Sequence, residues 1–235
     1  MQHPLMIALD VDHPEKRKQL LESFGEEPLF LKVGMEMFYR EGISALEELK
    51  KAGHSIFLDL KLHDIPNTVK RSMKVLATLG IDMVNVHAAG GIKMMKAALE
   101  GLEEGTAPGR QRPKLIAVTQ LTSTDSSMLE NELLITQSMD KVVLHYAKLA
   151  QEAGLDGVVC SAKEVPLIHA ECGKTFLTVT PGIRQENDAV GDQKRVVTPQ
   201  MARSLGSDAI VVGRSITASE NPLQTYRMMK ANWGE

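Results

Sequence analysis

Short apolar runs alternate with longer amphipathic stretches from one end of this chain to the other. The runs are Leu5–Val11, Phe30–Gly34, Ile56–Lys61, Met83–Ala88, Leu115–Thr122, Gly157–Ala162, Phe176–Gly182 and Ala209–Arg214. Several are nearly continuous in Val, Ile and Leu, the pattern of strands covered on both faces in a parallel sheet. Between them the apolar spacing lengthens to that of a helix. Val69, Met73 and Leu76 follow i, i+4, i+7, and Ile92, Met95, Leu99 and Leu102 follow i, i+3, i+7, i+10. Pro14 and Pro222 stand near helix starts, where a missing N–H costs nothing. Gly53, Gly80, Gly105, Gly154 and Gly206 follow helical stretches, where a glycine commonly ends the last turn. Glu104–Pro113 and Gln185–Gln193 read as exposed loops. Eight strand–helix units with no break in composition predict one (β/α)8 (TIM) barrel over residues 1–235. An open doubly wound sheet is the runner-up. Against it, no Gly-x-Gly-x-x-Gly follows the first run and no switch point is evident.

Composition narrows the partners. The chain has 235 residues, 43% hydrophobic and 24% charged, with a net charge of −3, so no global basic field invites nucleic acid. No apolar stretch approaches the ~18 residues of a membrane span. Met1–Met6 shows no basic region leading into an apolar core, so a cytoplasmic location is expected. Cys160 and Cys172 have no metal or redox spacing and read as buried reduced thiols.

A barrel makes a further demand: its active residues belong at the C-terminal ends of strands. Asp10 ends the first run, Lys32 lies near the end of the second, His87 ends the fourth and Thr122 the fifth. The third is the most heavily charged. On a strand, Asp59 and Lys61 share a face while Leu58, Leu60 and Leu62 take the other, and Asp64 follows at the turn. Such charges are costly at the end of an apolar strand unless they are used or paired. A neutral salt-bridge cluster is the bland reading. The last two runs end in Thr180-Pro181-Gly182-Ile183-Arg184 and Val211-Val212-Gly213-Arg214, two neighbouring glycine–cation elements suited to a phosphate.

Asp10, Asp59 and Asp64 suggest a divalent cation, but Lys32 and Lys61 neutralise them and repel one, so no metal is expected. A Schiff-base lysine is a second rival, favoured where the amine is desolvated or beside other cations. Lys61, flanked by carboxylates, reads instead as an ammonium that stabilises a forming carbanion and delivers a proton to it. One charge pair at ~4 Å is worth about 4 kcal/mol at an effective dielectric near 20. Enzymes lower barriers by ~8–23 kcal/mol, so binding energy from a remote phosphate must help. Gln185–Gln193 is a candidate closing loop. His63 and His87 read as hydrogen-bonded neighbours of the mouth, and Met73, Met94, Met95, Met228 and Met229 as helix packing.

Leu58-Asp59-Leu60-Lys61-Leu62-His63-Asp64-Ile65-Pro66-Asn67-Thr68 resembles the signature of orotidine 5′-phosphate decarboxylases. Ala8-Leu9-Asp10, Leu31-Lys32-Val33-Gly34, Asn85-Val86-His87-Ala88, Gln120-Leu121-Thr122-Ser123 and the two glycine–cation elements extend the similarity along the whole chain. The resemblance implies a cofactor-free homodimer that converts orotidine 5′-phosphate to UMP and CO2 in pyrimidine synthesis. It implies that Lys61 protonates C6, that Asp59 lies by the departing carboxylate, and that Lys32 and Asp10 serve the charge network and the ribose. It further implies that Asp64, Ile65 and Thr68 enter the partner subunit's site. Thr122 would meet the pyrimidine region, and Gln193, Gly213 and Arg214 the phosphate, with Pro181 and Arg184 beside them. Metal-dependent sugar-phosphate relatives of the same superfamily carry a glutamate ligand on the second strand, where this chain has Lys32. A non-catalytic phospho-ligand-binding barrel is the third alternative; the complete Lys32–Asp59–Lys61–Asp64 set speaks against it.

Overall fold

The computed structural model describes residues 3–185 and 197–234. In the first half, β1 (Leu5–Ala8), α1 (Pro14–Glu22), β2 (Phe30–Gly34), α2 (Met35–Lys51), β3 (Ser55–Leu62), α3 (Pro66–Leu76), β4 (Met83–His87) and α4 (Gly91–Gly105) alternate without exception. The second half runs β5 (Lys114–Val118), α5 (Ser126–Asn131), α6 (Met139–Glu152), β6 (Gly157–Val159) and α7 (Val165–Cys172). It ends with β7 (Leu177–Ile183), α8 (Pro199–Ser204), β8 (Ala209–Val212), α9 (Arg214–Thr217) and α10 (Pro222–Trp233). The eight strands are all parallel and close in chain order, β8 pairing back on β1. This is the expected (β/α)8 barrel.

Period two divides each strand between two cores. Met6, Ala8, Phe30, Phe57, Met83 and Ile116 fill the barrel axis with Val179, Ala209 and Val211. The alternate residues, among them Leu31, Val33, Ile56, Leu58, Val84 and Leu115, pack outward against the helices. Pro14, Pro66 and Pro222 each open a helix. Gly53, Gly80, Gly154 and Gly206 follow helices with positive φ, as a glycine stop requires.

Gly105 departs from that expectation. It is the last residue of α4, and a Cβ there would lie 2.2 Å from the Lys74 carbonyl oxygen of α3. It is small because two backbones approach, not because the helix needs a left-handed end. Met228 also departs: it is 44% exposed, while Met73, Met94, Met95 and Met229 are buried. The exposed loop begins only after Gly105. Cys160 and Cys172 are buried and are not joined in a disulfide.

The N-terminal rim is laced by acids that stand just before strands. Asp82, Asp156 and Asp208 accept the backbone N–H groups of Ile56, Leu115 and Thr178, each at 2.8 Å, tying β3 to β4, β5 to β6 and β7 to β8. Lys50 pairs with Asp82, and Arg112 and Lys114 pair with Asp156. These residues line a hollow of about 1390 Å3 at this end of the barrel. Most of its acids are held by cations and backbone N–H groups, which fits a stabilising end rather than a reacting one. Among the described residues no helix is long and apolar enough to cross a membrane.

Candidate active site

A cavity of about 460 Å3 opens at the opposite end, lined by Asp10, Lys32, Asp59, Lys61, Thr122, Pro181, Arg184, Gly213 and Arg214 among others. These nine residues were expected at the site from sequence, and they come from six different strand ends. Asp64, Ile65 and Thr68 do not line it; all three are exposed where β3 turns into α3. Gln193 and most of the segment expected to close over the mouth lie outside the described residues.

One wall is an alternating chain of charge. Lys32 Nζ stands 3.1 Å from Asp10 Oδ1 and 3.4 Å from Asp59 Oδ2. Lys61 Nζ stands 2.8 Å from Asp59 Oδ1. Each oxygen of Asp59 thus faces its own ammonium, and the array of two acids and two bases is neutral. Burial pushes the Asp59 carboxyl up, but Lys32, Lys61 and the Asn85 amide outweigh it and hold it below the usual carboxylate range. Asp59 is therefore a fixed anion in a low-dielectric wall. The array also needs room: a Cβ at Gly34 would lie 3.1 Å from Asp10 Oδ1 and 3.3 Å from Lys32 Nζ.

The strand that carries Asp59 and Lys61 reaches the mouth irregularly. Phe57 and Leu58 pair with Met83 and Val84, but the next pair is Leu62 with Val86. Asp59, Leu60 and Lys61 therefore stand against Asn85 alone, an enlarged β-bulge. Lys61 takes a left-handed backbone, φ +53°, which is uncommon for a residue with a Cβ. Its N–H donates to Asn85 Oδ1 at 2.8 Å, and Asn85 Nδ2 donates to Asp59 Oδ1 at 2.7 Å.

Two arginines come from the last two strands. β7 ends in Pro181-Gly182-Ile183 before Arg184, and β8 ends before Gly213 and Arg214. Both arginines face the same cavity as the charge chain. His63 and His87 stack at the rim with ring centroids 5.6 Å apart. Burial, then the neighbouring His63 and Lys61, hold the His87 imidazole below its ordinary value. Three contributors escaped the sequence reading of the site: Gly34, Asn85 and Gln120, the last a buried amide on the cavity wall. Asn85 and Gln120 each left a signal, a lone amide in or at the end of an apolar run.

A family model described as "Orotidine 5'-phosphate decarboxylase / HUMPS family" matches residues 3–229. The chain is 66% identical to the orotidine 5′-phosphate decarboxylase of Shouchella clausii, over 99% of this chain and 98% of that one. It is 62% identical to that of Halalkalibacterium halodurans, over 99% of each. A solved structure of the orotidine 5′-phosphate decarboxylase from Lactobacillus acidophilus superposes with a TM-score of 0.89 at 45% identity, over 99% of this chain and all of that one.

Proposed function

The chain belongs to the orotidine 5′-phosphate decarboxylase / HUMPS family, and from that premise we propose how its site divides the work of the reaction. It decarboxylates orotidine 5′-phosphate to UMP and CO2 in pyrimidine synthesis. The C6–CO2 bond breaks with its electron pair left on C6, and the Lys61 ammonium gives C6 its proton, after which a proton from solvent restores the ammonium. Asp59 stands beside the departing carboxylate. Lys32 and Asp10 take the ribose side, Thr122 the pyrimidine, and Pro181, Arg184, Gly213 and Arg214 the phosphate, joined by Gln193.

The observation that carries this reading is the meeting of two kinds of charge in one cavity. A neutral chain of fixed charges, Asp10–Lys32–Asp59–Lys61, faces two arginines. The arginines hold the part of the substrate that does not react, and the binding energy they supply presses the pyrimidine against the charge chain. The ammonium is fixed before the reaction starts, so it stabilises developing carbanion charge without reorganising. A metal-assisted sugar-phosphate reaction fits less well, because the Lys32 ammonium occupies the space between the Asp10 and Asp59 carboxylates.

The proposal extends to a homodimer with shared sites. Ile65 is 67% exposed beside exposed Asp64 and Thr68, and a second copy is the partner that would give the three a site to enter. It also places the reaction in the cytoplasm, in keeping with two buried cysteines that are not joined in a disulfide, and without nucleic-acid or membrane partners.

The test is the loss of orotidine 5′-phosphate absorbance with purified protein in excess chelator, run beside Lys61→Ala. Turnover by the parent and none by the variant is expected. Turnover only after magnesium is restored, or near-native activity in Lys61→Ala, would overturn the reading.

A further inference from the structure

We propose that Asn85 is the positioning residue of this site: one buried amide sets both the backbone of Lys61 and the carboxylate of Asp59. The inference rests on the reading above, in which those two groups face the reacting carbon and the departing carboxylate.

Asn85 is fully buried, 0% exposed, on a strand otherwise built of Met83, Val84, Val86 and His87. An amide is an expensive filler there unless its polar atoms are used. Both ends are used, and on catalytic partners only. The Lys61 N–H can only donate and the Asp59 carboxylate can only accept, so the amide orientation is fixed by chemistry: Oδ1 toward Lys61, Nδ2 toward Asp59.

The bulge explains why such a clamp is needed. Three residues of β3 stand against one of β4, so the Lys61 N–H has lost the strand partner a regular ladder would give it. A left-handed backbone is unfavourable for lysine and persists only where its surroundings impose it. Asn85 supplies the missing acceptor at the point of the irregularity. Its other hand adds a second donor to Asp59 Oδ1, the oxygen that Lys61 Nζ touches at 2.8 Å. Backbone angle, carboxylate rotation and ammonium position are thereby tied through one side chain. The phosphate-facing arginines stand on other strands, so this coupling should act on turnover more than on binding.

Asn85→Ala, assayed as folded protein beside Lys61→Ala, is expected to lose kcat on the order of 10- to 100-fold with KM changed less than about threefold, the cost of misplaced reacting groups. Asn85→Asp supplies a readout that space-filling alone would not move, and carries the test if the Ala variant does not fold. It keeps the acceptor for Lys61 but sets a second carboxylate against Asp59. A buried carboxyl beside a like charge holds its proton to higher pH, and the protonated form again donates to Asp59. The ratio of variant to parent kcat should therefore rise as pH falls, by up to about tenfold per unit for a single proton. If both Asn85 variants keep kcat within about twofold of the parent while Lys61→Ala is inactive, the positioning role is wrong and the site reading stands. A pH-independent ratio for Asn85→Asp overturns it equally. If Lys61→Ala itself turns over, the site reading falls and this inference with it.

Discussion

His54, just before β3, accepts the Leu29 N–H on Nδ1 at 3.3 Å. Only the neutral ring has a lone pair for that bond, and burial holds the imidazole below its ordinary value. The unfolded chain therefore binds the proton more tightly than the folded one. The stability this gives is present above the ordinary imidazole range, ~6.5, and is lost as pH falls through it. His87 is displaced the same way and adds to that step. A second step follows at lower pH. Asp156 is pushed up by burial but held below the usual range by Arg112, the Leu115 N–H and Lys114, so its stability is present above ~4 and lost on further acidification. The melting temperature should fall in two stages as pH is lowered, and His54→Gln should shrink the first stage alone. A melting profile that His54→Gln leaves unchanged below pH 7 would assign that stage elsewhere. At this scale the sequence was most informative where period two applies: Asp59 and Lys61 were legible because residues two apart share a face. The left-handed turn of Lys61 was not, since lysine carries no local preference for it. It arises where β3 must meet β4, and its partner Asn85 lies 24 residues away.

Two helices show how elements settle what a residue means. A Cβ at Gly101 would lie 2.1 Å from the Lys70 carbonyl oxygen, and at Gly105 2.2 Å from that of Lys74. The facing backbones of α3 and α4 meet at these two points one turn apart, and Lys70 and Lys74 reach over to Glu100 and Glu104. In an isolated helix Gly101→Ala would stabilise by about 1 kcal/mol. Here it should destabilise by about 1–3 kcal/mol, the usual cost of overpacking, measured as a lower denaturant midpoint. A midpoint that rises would mean the two helices can part without loss. Element order was legible because apolar runs and their Pro and Gly punctuation are local. Gly105 was misread because a stop and a close approach both call for glycine, and only the neighbouring helix tells them apart. Met228 was misread because a helical spacing gives a face but not what covers it.

The whole molecule differs by end: aspartate locks at the N-terminal rim, and at the C-terminal mouth the charge chain to which we assign the reaction. The proposed shared-site dimer makes a prediction at this scale. Lys61→Ala and Asp64→Ala, each poor alone, should recover on mixing, because a hybrid dimer has one site with Lys61 from one copy and Asp64 from the other. Random exchange makes half the dimers hybrid with one intact site of two, so recovery should approach about a quarter of parent activity. No recovery after verified subunit exchange would remove Asp64 from the partner's site.

The rim locks also divide the barrel in a way that bears on how it can be taken apart. The Asp82 lock closes within residues 3–105, and the Asp156 and Asp208 locks close within 114–234. The same cut falls between the two walls of the mouth. Asp10, Lys32, Asp59, Lys61 and Asn85 all precede the 106–113 loop, while Thr122, Arg184 and Arg214 all follow it. On the proposed roles, the reagent and the handle by which its substrate is held are thus written on separate halves of the polypeptide. Two half-molecules made from that division would each carry one wall of a catalytic centre, and UMP formation would be the signal of their reunion.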